Sequence, residues 1–426
     1  MEENKCFIGE TNFRNQKKLF YIKTDDRRRH VYIIGKSGAG KSTLLENMAI
    51  NDIQAGQGIC FVDPHGECCE HLLKAIPSQR INDVVYFNPA DTDYPIGFNP
   101  LEPGPERHLI VSNMMAVFEK IFFQGGNFAS QAPQLTHILR HTLYAVMDTE
   151  GSTLLGVQKM LIDEKYRKKI VSRIKDPVIK QFWTIEFPNS ILKRRDDPLA
   201  STLNKIGQFL TVPMLRNILG QPKSSFDLRE IMDTQKIFIV NLSKGKLGED
   251  NSNLLGALLI TKLFIAAMSR VEIPEADRQD FYAYIDEFQN FSTESFAGIL
   301  SEARKYRLSL TLANQYIEQL IEGVRNAIFG NCGTIISFRV GAKDAEELEK
   351  ELQPFEKEDF IILPNFCFYI KLLIKGFAGQ AFSAVGLPPK DLKNTEDNEE
   401  KVIRQSRERY CKTRESVENK ISEWMK

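Results

Sequence analysis

The segment VYIIGKSGAGKSTLLENM, Val31 to Met48, limits the fold more than any other part of the chain. A β-branched run leads into a glycine-rich turn, and the turn opens a helical pattern. The turn fits the spacing G-x-x-x-x-G-K-[ST] in the strand, loop and helix setting that this spacing needs. Its residues are Gly35, Lys36, Ser37, Gly38, Ala39, Gly40, Lys41 and Ser42, followed by Thr43 in the first helical turn. Glycines at 35, 38 and 40 let the backbone wrap closely around phosphates, with N–H groups and the helix N-terminus facing the negative charge. Lys41 is expected to neutralise the β and γ phosphates, and Ser42 to offer its hydroxyl to Mg2+. A glycine-rich turn with a purely structural role explains the glycines but not Lys-Ser at that offset.

A phosphate loop of this kind needs a metal-organising carboxylate at the end of a neighbouring strand, and hydrolysis needs a group that activates water. FYAYIDEFQN, Phe281 to Asn290, offers both. Asp286 ends an apolar run and suits the magnesium shell; Glu287 beside it suits the attacking water. LSLTLA runs into Asn314 and Gln315, which puts an amide where it could report on a γ-phosphate. Arg304, in SEARKYR ahead of that run, could reach a neighbouring subunit's phosphates. Each of these has a plainer reading, as the polar end of a strand or an ordinary surface residue.

Apolar runs at 31–34, 59–62, 84–87, 237–240, 281–285, 308–313 and 334–338 alternate with longer periodic segments, the mark of an α/β protein with a largely parallel sheet. Most are apolar on both faces, as strands covered on both sides are. Between about Arg107 and Asp233 helical periodicity takes over, and prolines 95, 100, 103, 105 and 222 crowd its boundaries. The expected organisation is an N-terminal extension at 1–29, an ATPase domain at 30–105 and 234–389, an inserted all-helical domain at 106–233, and a charged helical tail at 390–426. In that tail Val417, Ile421 and Trp424 recur at helical spacing, as one docked apolar stripe would.

Composition adds exclusions. Lys+Arg and Asp+Glu both number 56 in 426 residues, so any nucleic-acid contact must rest on a local basic surface. Candidates are Arg27 to Arg29, Lys165 to Lys169 and Lys193 to Arg195. The seven cysteines form no C-x-x-C pair, and the crowded HGECCEH, His65 to His71, is unlike the usual zinc pattern. No apolar run reaches the roughly 18 to 20 residues of a membrane span, so a cytoplasmic chain is expected.

Together these pieces resemble the HerA/FtsK superfamily of hexameric ATPases, and within it the type IV coupling proteins of conjugation and their TraD/TraG-like relatives. The matching segments are GKSGAGKS, VDPHGE (Val62 to Glu67), FNP at 87–89 and 98–100, IDEFQN, LANQ (Leu312 to Gln315) and SFRVGAKDAEEL (Ser337 to Leu348). The resemblance implies a RecA-like P-loop NTPase core assembled as a ring, with ATP and Mg2+ at subunit interfaces and DNA in the channel. It assigns Lys41 and Ser42 to nucleotide and metal, Asp286 and Glu287 to the second motif, Gln315 to the sensor strand, and Arg304 or Arg339 to the finger. Asp63 and Glu67 would lie near the site. Coupling proteins of this kind carry N-terminal transmembrane helices that this chain does not show, so membrane association is expected only through a partner. Alternative readings are a secretion or pilus ATPase acting on protein, and a nucleotide-gated adaptor that recruits substrates through the helical domain.

Overall fold

The apolar runs form strands, and their register decides where the polar residues that follow them emerge. The structure, a computed structural model, describes residues 5–12, 17–102, 107–123, 133–191, 198–392 and 397–426. Its strands are β1 (Lys5–Thr11), β2 (Leu19–Lys23), β3 (Val31–Ile34), β4 (Gly58–Asp63), β5 (Val84–Phe87), β6 (Ile237–Asn241), β7 (Phe281–Ile285), β8 (Leu308–Asn314), β9 (Thr334–Ser337), β10 (Cys367–Lys371), β11 (Leu373–Ile374), β12 (Phe377–Ala378) and β13 (Phe382–Gly386). Eleven of them make one sheet in the order β2-β1-β13-β10-β9-β3-β8-β7-β4-β6-β5, while β11 and β12 pair separately.

From β9 to β5 all neighbours are parallel. The remaining strands add an antiparallel flank, in which β1 and β2 come from the segments FIGE and LFYIK ahead of the glycine-rich loop. Central strands β3, β4, β7 and β8 are buried at every position, polar Asp63, Ser309, Thr311 and Asn314 included, as strands covered on both faces are. Strand β10 alternates buried and half-buried residues, and it and β13 were not anticipated from sequence.

Parallel pairing aligns the carboxyl ends. Ile34 lies opposite Asn314 on one side and Ser337 on the other, and Ile285 lies opposite Val62 and Leu312. The glycine-rich loop, Asp63, Asp286, Gln315 and Arg339 therefore all leave the sheet at one edge, where ligands of open α/β sheets bind. Helix Lys41–Gln54 is fixed there by Leu44, Leu45, Met48, Ala49 and Ile53, which pack with Ile33, Phe61, Tyr284 and Ile336 in the core.

The chain divides into two compact units. The α/β unit comprises 1–87, 228–245 and 266–406; the helical unit comprises 88–227, 246–265 and 407–426. This corrects two boundaries expected from sequence. Residues 246–265 belong with the helical unit, where Lys262 Nζ donates to the Glu102 carbonyl at 3.2 Å. The tail is split: Val402 is fully buried in the α/β core and Ser406 Oγ accepts the Tyr86 N–H at 2.9 Å, whereas Arg407 pairs with Asp91 in the helical unit at 2.6 Å. There too, Val417 and Ile421 of helix Arg414–Met425 are buried while Trp424 is exposed.

One described helix, Glu249–Glu272, is long and apolar enough by length and composition to cross a membrane, contrary to the expectation from apolar runs. Seventy-two per cent of its most apolar window (72%) is buried in the protein, as in a core helix.

The basic cluster Arg27 to Arg29 is mostly committed elsewhere. Arg27 is 2% exposed and forms a double hydrogen bond to Asp52, at 2.8 and 2.7 Å, over the ring of Tyr282. Arg28 grips Asp280 with two bonds of 2.7 Å, and Arg29 donates to the Gly376 carbonyl. Burial takes Arg27 out of any DNA-gripping surface, while Arg28 and Arg29 remain half-buried with their guanidiniums bonded within the chain. Lys165, Lys168 and Lys169 are exposed on helix Glu164–Val171, and Lys193 to Arg195 lie outside the described residues.

Candidate active site

The glycine-rich loop leaves β3 with Gly35 N–H bonded to the Asn314 carbonyl and Lys36 N–H to the Arg339 carbonyl, at 3.3 and 2.8 Å. Both neighbouring strands thus hold its base. Gly38 and Gly40 have φ of +72° and +119°, values that favour glycine. Ser37 and Gly38 are exposed at the apex, Ala39 is buried, and Thr43 is half-buried one turn on. Gly40 is the N-cap of helix Lys41–Gln54 and offers no side chain to the first-turn N–H groups, which the helix itself does not use. Those donors and the helix dipole suit an anion.

Lys41 is 5% exposed, and its ammonium donates to the carbonyls of Gly35 at 2.6 Å and Lys36 at 3.3 Å. Burial pulls its pKa below the usual lysine value, against the nearby charges of Glu287 and Asp286. The cation is therefore held inside the loop, aimed by the backbone it serves.

Ser42 Oγ donates to Asp286 Oδ2 at 3.0 Å, which joins the loop to the end of β7. Asp286 is 1% exposed, and burial pushes its pKa up to about 6, with Glu287 and Asp63 adding to the rise and Lys41 and the Ser42 bond opposing it. A buried carboxylate with two acidic neighbours is a place that a cation would relieve. Hydroxyl plus carboxylate is the donor set Mg2+ takes from protein when phosphates and water complete its shell. Among the described residues no group of three His, Cys, Asp or Glu could hold a metal alone. In HGECCEH, Cys68 and Cys69 are buried, with burial pushing both thiols up, and His71 contacts Glu46 at 3.3 Å.

Glu287 follows in a left-handed conformation, φ +46° and ψ +47°, which is uncommon for a residue with a side chain. Its carboxylate is held from two directions: Gln315 Nε2 donates to Oε1 at 2.8 Å and Gln289 Nε2 to Oε2 at 2.5 Å. Gln315 comes from the end of β8 and Gln289 from the short helix Phe288–Asn290. Sequence reasoning named Gln315 and missed Gln289. Gln289 stands two residues beyond Glu287 in the same motif, and only the left-handed turn brings it back.

Asp63 is 1% exposed, and its oxygens accept the N–H groups of His65 at 2.7 Å and Cys69 at 3.2 Å. It thereby fixes the VDPHGE turn and the start of helix Glu67–Lys74, on whose first turn Glu67 is exposed. Arg339 is half-buried beside the loop, with its carbonyl on Lys36. Arg304 is exposed in the short helix Ala303–Tyr306, ahead of β8. The strand rises about 3.3 Å per residue, so roughly 20 Å separates Arg304 from the edge that carries the other groups.

The profile of the family described as Type IV secretory system Conjugative DNA transfer matches residues 2–352. The type 4 coupling protein DotL of Legionella pneumophila is 21% identical over 370 residues, which cover 72% of this chain and 46% of DotL. The chain thus spans about half the length of that relative. Among solved structures, the conjugative coupling protein TrwB, lacking its N-terminal segment, superposes with a TM-score of 0.60 at 15% identity, covering 90% of each chain. VirB4 of Thermoanaerobacter pseudethanolicus gives 0.59 at 14% identity, covering 91% of this chain and 97% of that one. TrwB has been seen with ADP and Mg2+ and with a non-hydrolysable ATP analogue. With the family profile spanning most of its length, the chain belongs to the type IV secretory system conjugative DNA transfer family.

Proposed function

We propose that the chain is a Mg2+-dependent ATPase that moves DNA as part of a ring, in the manner of a conjugative coupling protein. The observation that carries this reading is the continuous set Lys41, Ser42, Asp286, Glu287 and Gln315 at one sheet edge, linked by the 3.0 Å and 2.8 Å bonds. The family membership supports DNA as the substrate. The fold that TrwB and VirB4 share with this chain does not distinguish DNA from protein as the cargo.

ATP would supply the electrophilic γ-phosphorus and the leaving nucleoside diphosphate, and Mg2+ would neutralise the charge that builds on the phosphate oxygens. Gly35, Lys36 and Ala39, whose N–H groups bond the Asn314, Arg339 and Lys36 carbonyls, hold the loop in shape; Ser37, Gly38, Gly40 and Thr43 would face phosphate with backbone donors, and Lys41 adds a fixed positive charge. Ser42 and Asp286 would hold the metal. Glu287 accepts the proton of the attacking water, and Gln315 orients its carboxylate while sensing the state of the site. Arg304, at the far end of β8, serves a neighbouring subunit if it serves any, which makes the lone chain a poor catalyst. Arg339, beside the loop, is the alternative finger.

Exposed Lys165, Lys168 and Lys169 would offer charge to phosphate backbones, Lys168 while paired with Glu164 at 2.7 Å. Contact with a membrane complex through a protein partner fits the family's place in a secretion system. DNA-stimulated ATP hydrolysis, lost in Lys41→Ala and Glu287→Gln, is the test. Turnover that needs Lys41 but ignores DNA points instead to a secretion ATPase acting on protein.

A further inference from the structure

Beside the glycine-rich loop stands an aromatic side chain that the phosphate chemistry does not use. Phe366 lies in the turn between helix Lys357–Ile362 and β10, with a left-handed φ of +65°. For a bulky residue this conformation is an outlier, and such outliers persist only where their surroundings fix them. Here they do: Phe366 N–H donates to the Ala39 carbonyl at 2.8 Å, and the Phe366 carbonyl accepts the Gly386 N–H at 2.7 Å. The turn is closed by Cys367 N–H on the Pro364 carbonyl at 3.2 Å.

The ring lies against the loop. A Cβ at Gly40 would come 3.0 Å from Phe366 Cδ1 and 3.1 Å from Phe338 Cε1. Two phenylalanines thus flank Gly40, and their environments differ. Phe338 is 1% exposed and packs on Phe368 with ring centroids 5.2 Å apart, whereas Phe366 is 48% exposed. A strained backbone and an apolar ring in water are both unfavourable, and glycine would remove both. The packing of this chain alone gives no reason for phenylalanine at this position.

Strand order supplies one. In the sequence β10-β9-β3-β8-β7, the loop leaves the middle strand. Glu287 and Gln315 come from the β7 and β8 flank, so the γ-phosphate end of a nucleotide faces that way. The nucleoside end then runs toward the β9 and β10 flank, where Phe366 is tied to the loop through Ala39. We infer that Phe366 is the platform on which the nucleobase stacks, an inference that rests on Gly35 to Ser42 being the nucleotide site. Stacking on a π-face tolerates any base. The platform therefore distinguishes a nucleotide from bare phosphates rather than one base from another.

The experiment is calorimetric titration of the full chain with Mg2+ and either a non-hydrolysable ATP analogue or inorganic tripolyphosphate. Loss of one base stack lowers affinity about tenfold or more. Phe366→Ala and Phe366→Gly should both lose this factor for the ATP analogue and keep wild-type affinity for tripolyphosphate, while Phe366→Trp retains both. Equal losses for the two probes, or no loss for either, would overturn the inference, as would a change confined to self-association, which would assign the ring to a subunit contact. If wild type and Lys41→Ala bind the ATP analogue equally, the nucleotide reading of the loop fails, whatever stands at 366.

Discussion

Ser42 and Asp286 are 244 positions apart in the chain, and the hydroxyl of one donates to the carboxylate of the other at 3.0 Å. Burial raises the pKa of Asp286 from the ordinary 3.8 to about 6. The folded state thus binds this proton more tightly than the unfolded chain, and ionised Asp286 destabilises the fold. That cost is full above about pH 6 and absent below the unfolded value. Asp286→Asn should therefore raise stability in urea at about pH 8 by on the order of 1–3 kcal/mol, with the gain vanishing toward about pH 4, while hydrolysis is lost. Equal stability of the two proteins at the higher pH would contradict this.

Activity should follow the same carboxyl group. As pH falls through about 6, Asp286 takes up a proton, and in the role proposed for it would then lose its hold on Mg2+. Mg2+ competes with that proton, so raising its concentration should carry the acid limb of the rate profile to lower pH. An acid limb that ignores Mg2+ would assign it to another group.

Glu287 is gripped by Gln289 as well as by Gln315. Hydrogen bonds to a charged group are worth about 1.5–3 kcal/mol, and orientation of a base acts on turnover rather than on nucleotide binding. Gln289→Met keeps the volume and removes the amide. Steady-state kinetics should show kcat lower by about tenfold or more with KM for ATP unchanged; a rise in KM alone would mean that Gln289 only supports the loop.

Arg27 and Asp52 form an ion pair, with side chains 2% and 0% exposed, that Tyr284 completes by donating to Asp52 at 2.5 Å. Removing one partner leaves the other charge buried and uncompensated, at about 3–5 kcal/mol. Arg27→Ala should lose that much in urea unfolding, and Arg27→Met with Asp52→Leu should recover much of it. DNA affinity of the folded Arg27→Met, Asp52→Leu protein should match wild type, since the guanidinium faces the core.

The parallel strands were legible because their apolar residues cluster between turn residues; β3 and β7 show this best, whereas β8 alternates leucine with Ser309 and Thr311. Strands β10 and β13 escaped because CFYIK runs on into the apolar Leu372 to Ile374 with no turn residue to mark its end, and FSAVG carries small residues with no apolar run. Lys41, Ser42, Asp286 and Glu287 could be named from spacing, since the chemistry requires those types at strand ends. Gln289 could not, because its reach depends on a left-handed residue at 287. Arg27 to Arg29 read as a basic surface because their partners Asp52 and Asp280 lie 25 and 252 positions away. Pairing at that range has no local signature.

The most direct measurement is ATP hydrolysis at high protein concentration, with and without single- and double-stranded DNA, for wild type, Lys41→Ala and Glu287→Gln. The account predicts turnover that rises with protein concentration as rings form, that DNA stimulates further, and that each substitution lowers by at least about a hundredfold. Wild-type turnover indifferent to both forms of DNA in assembled rings would contradict a DNA motor, and turnover that survives Glu287→Gln would contradict the site itself.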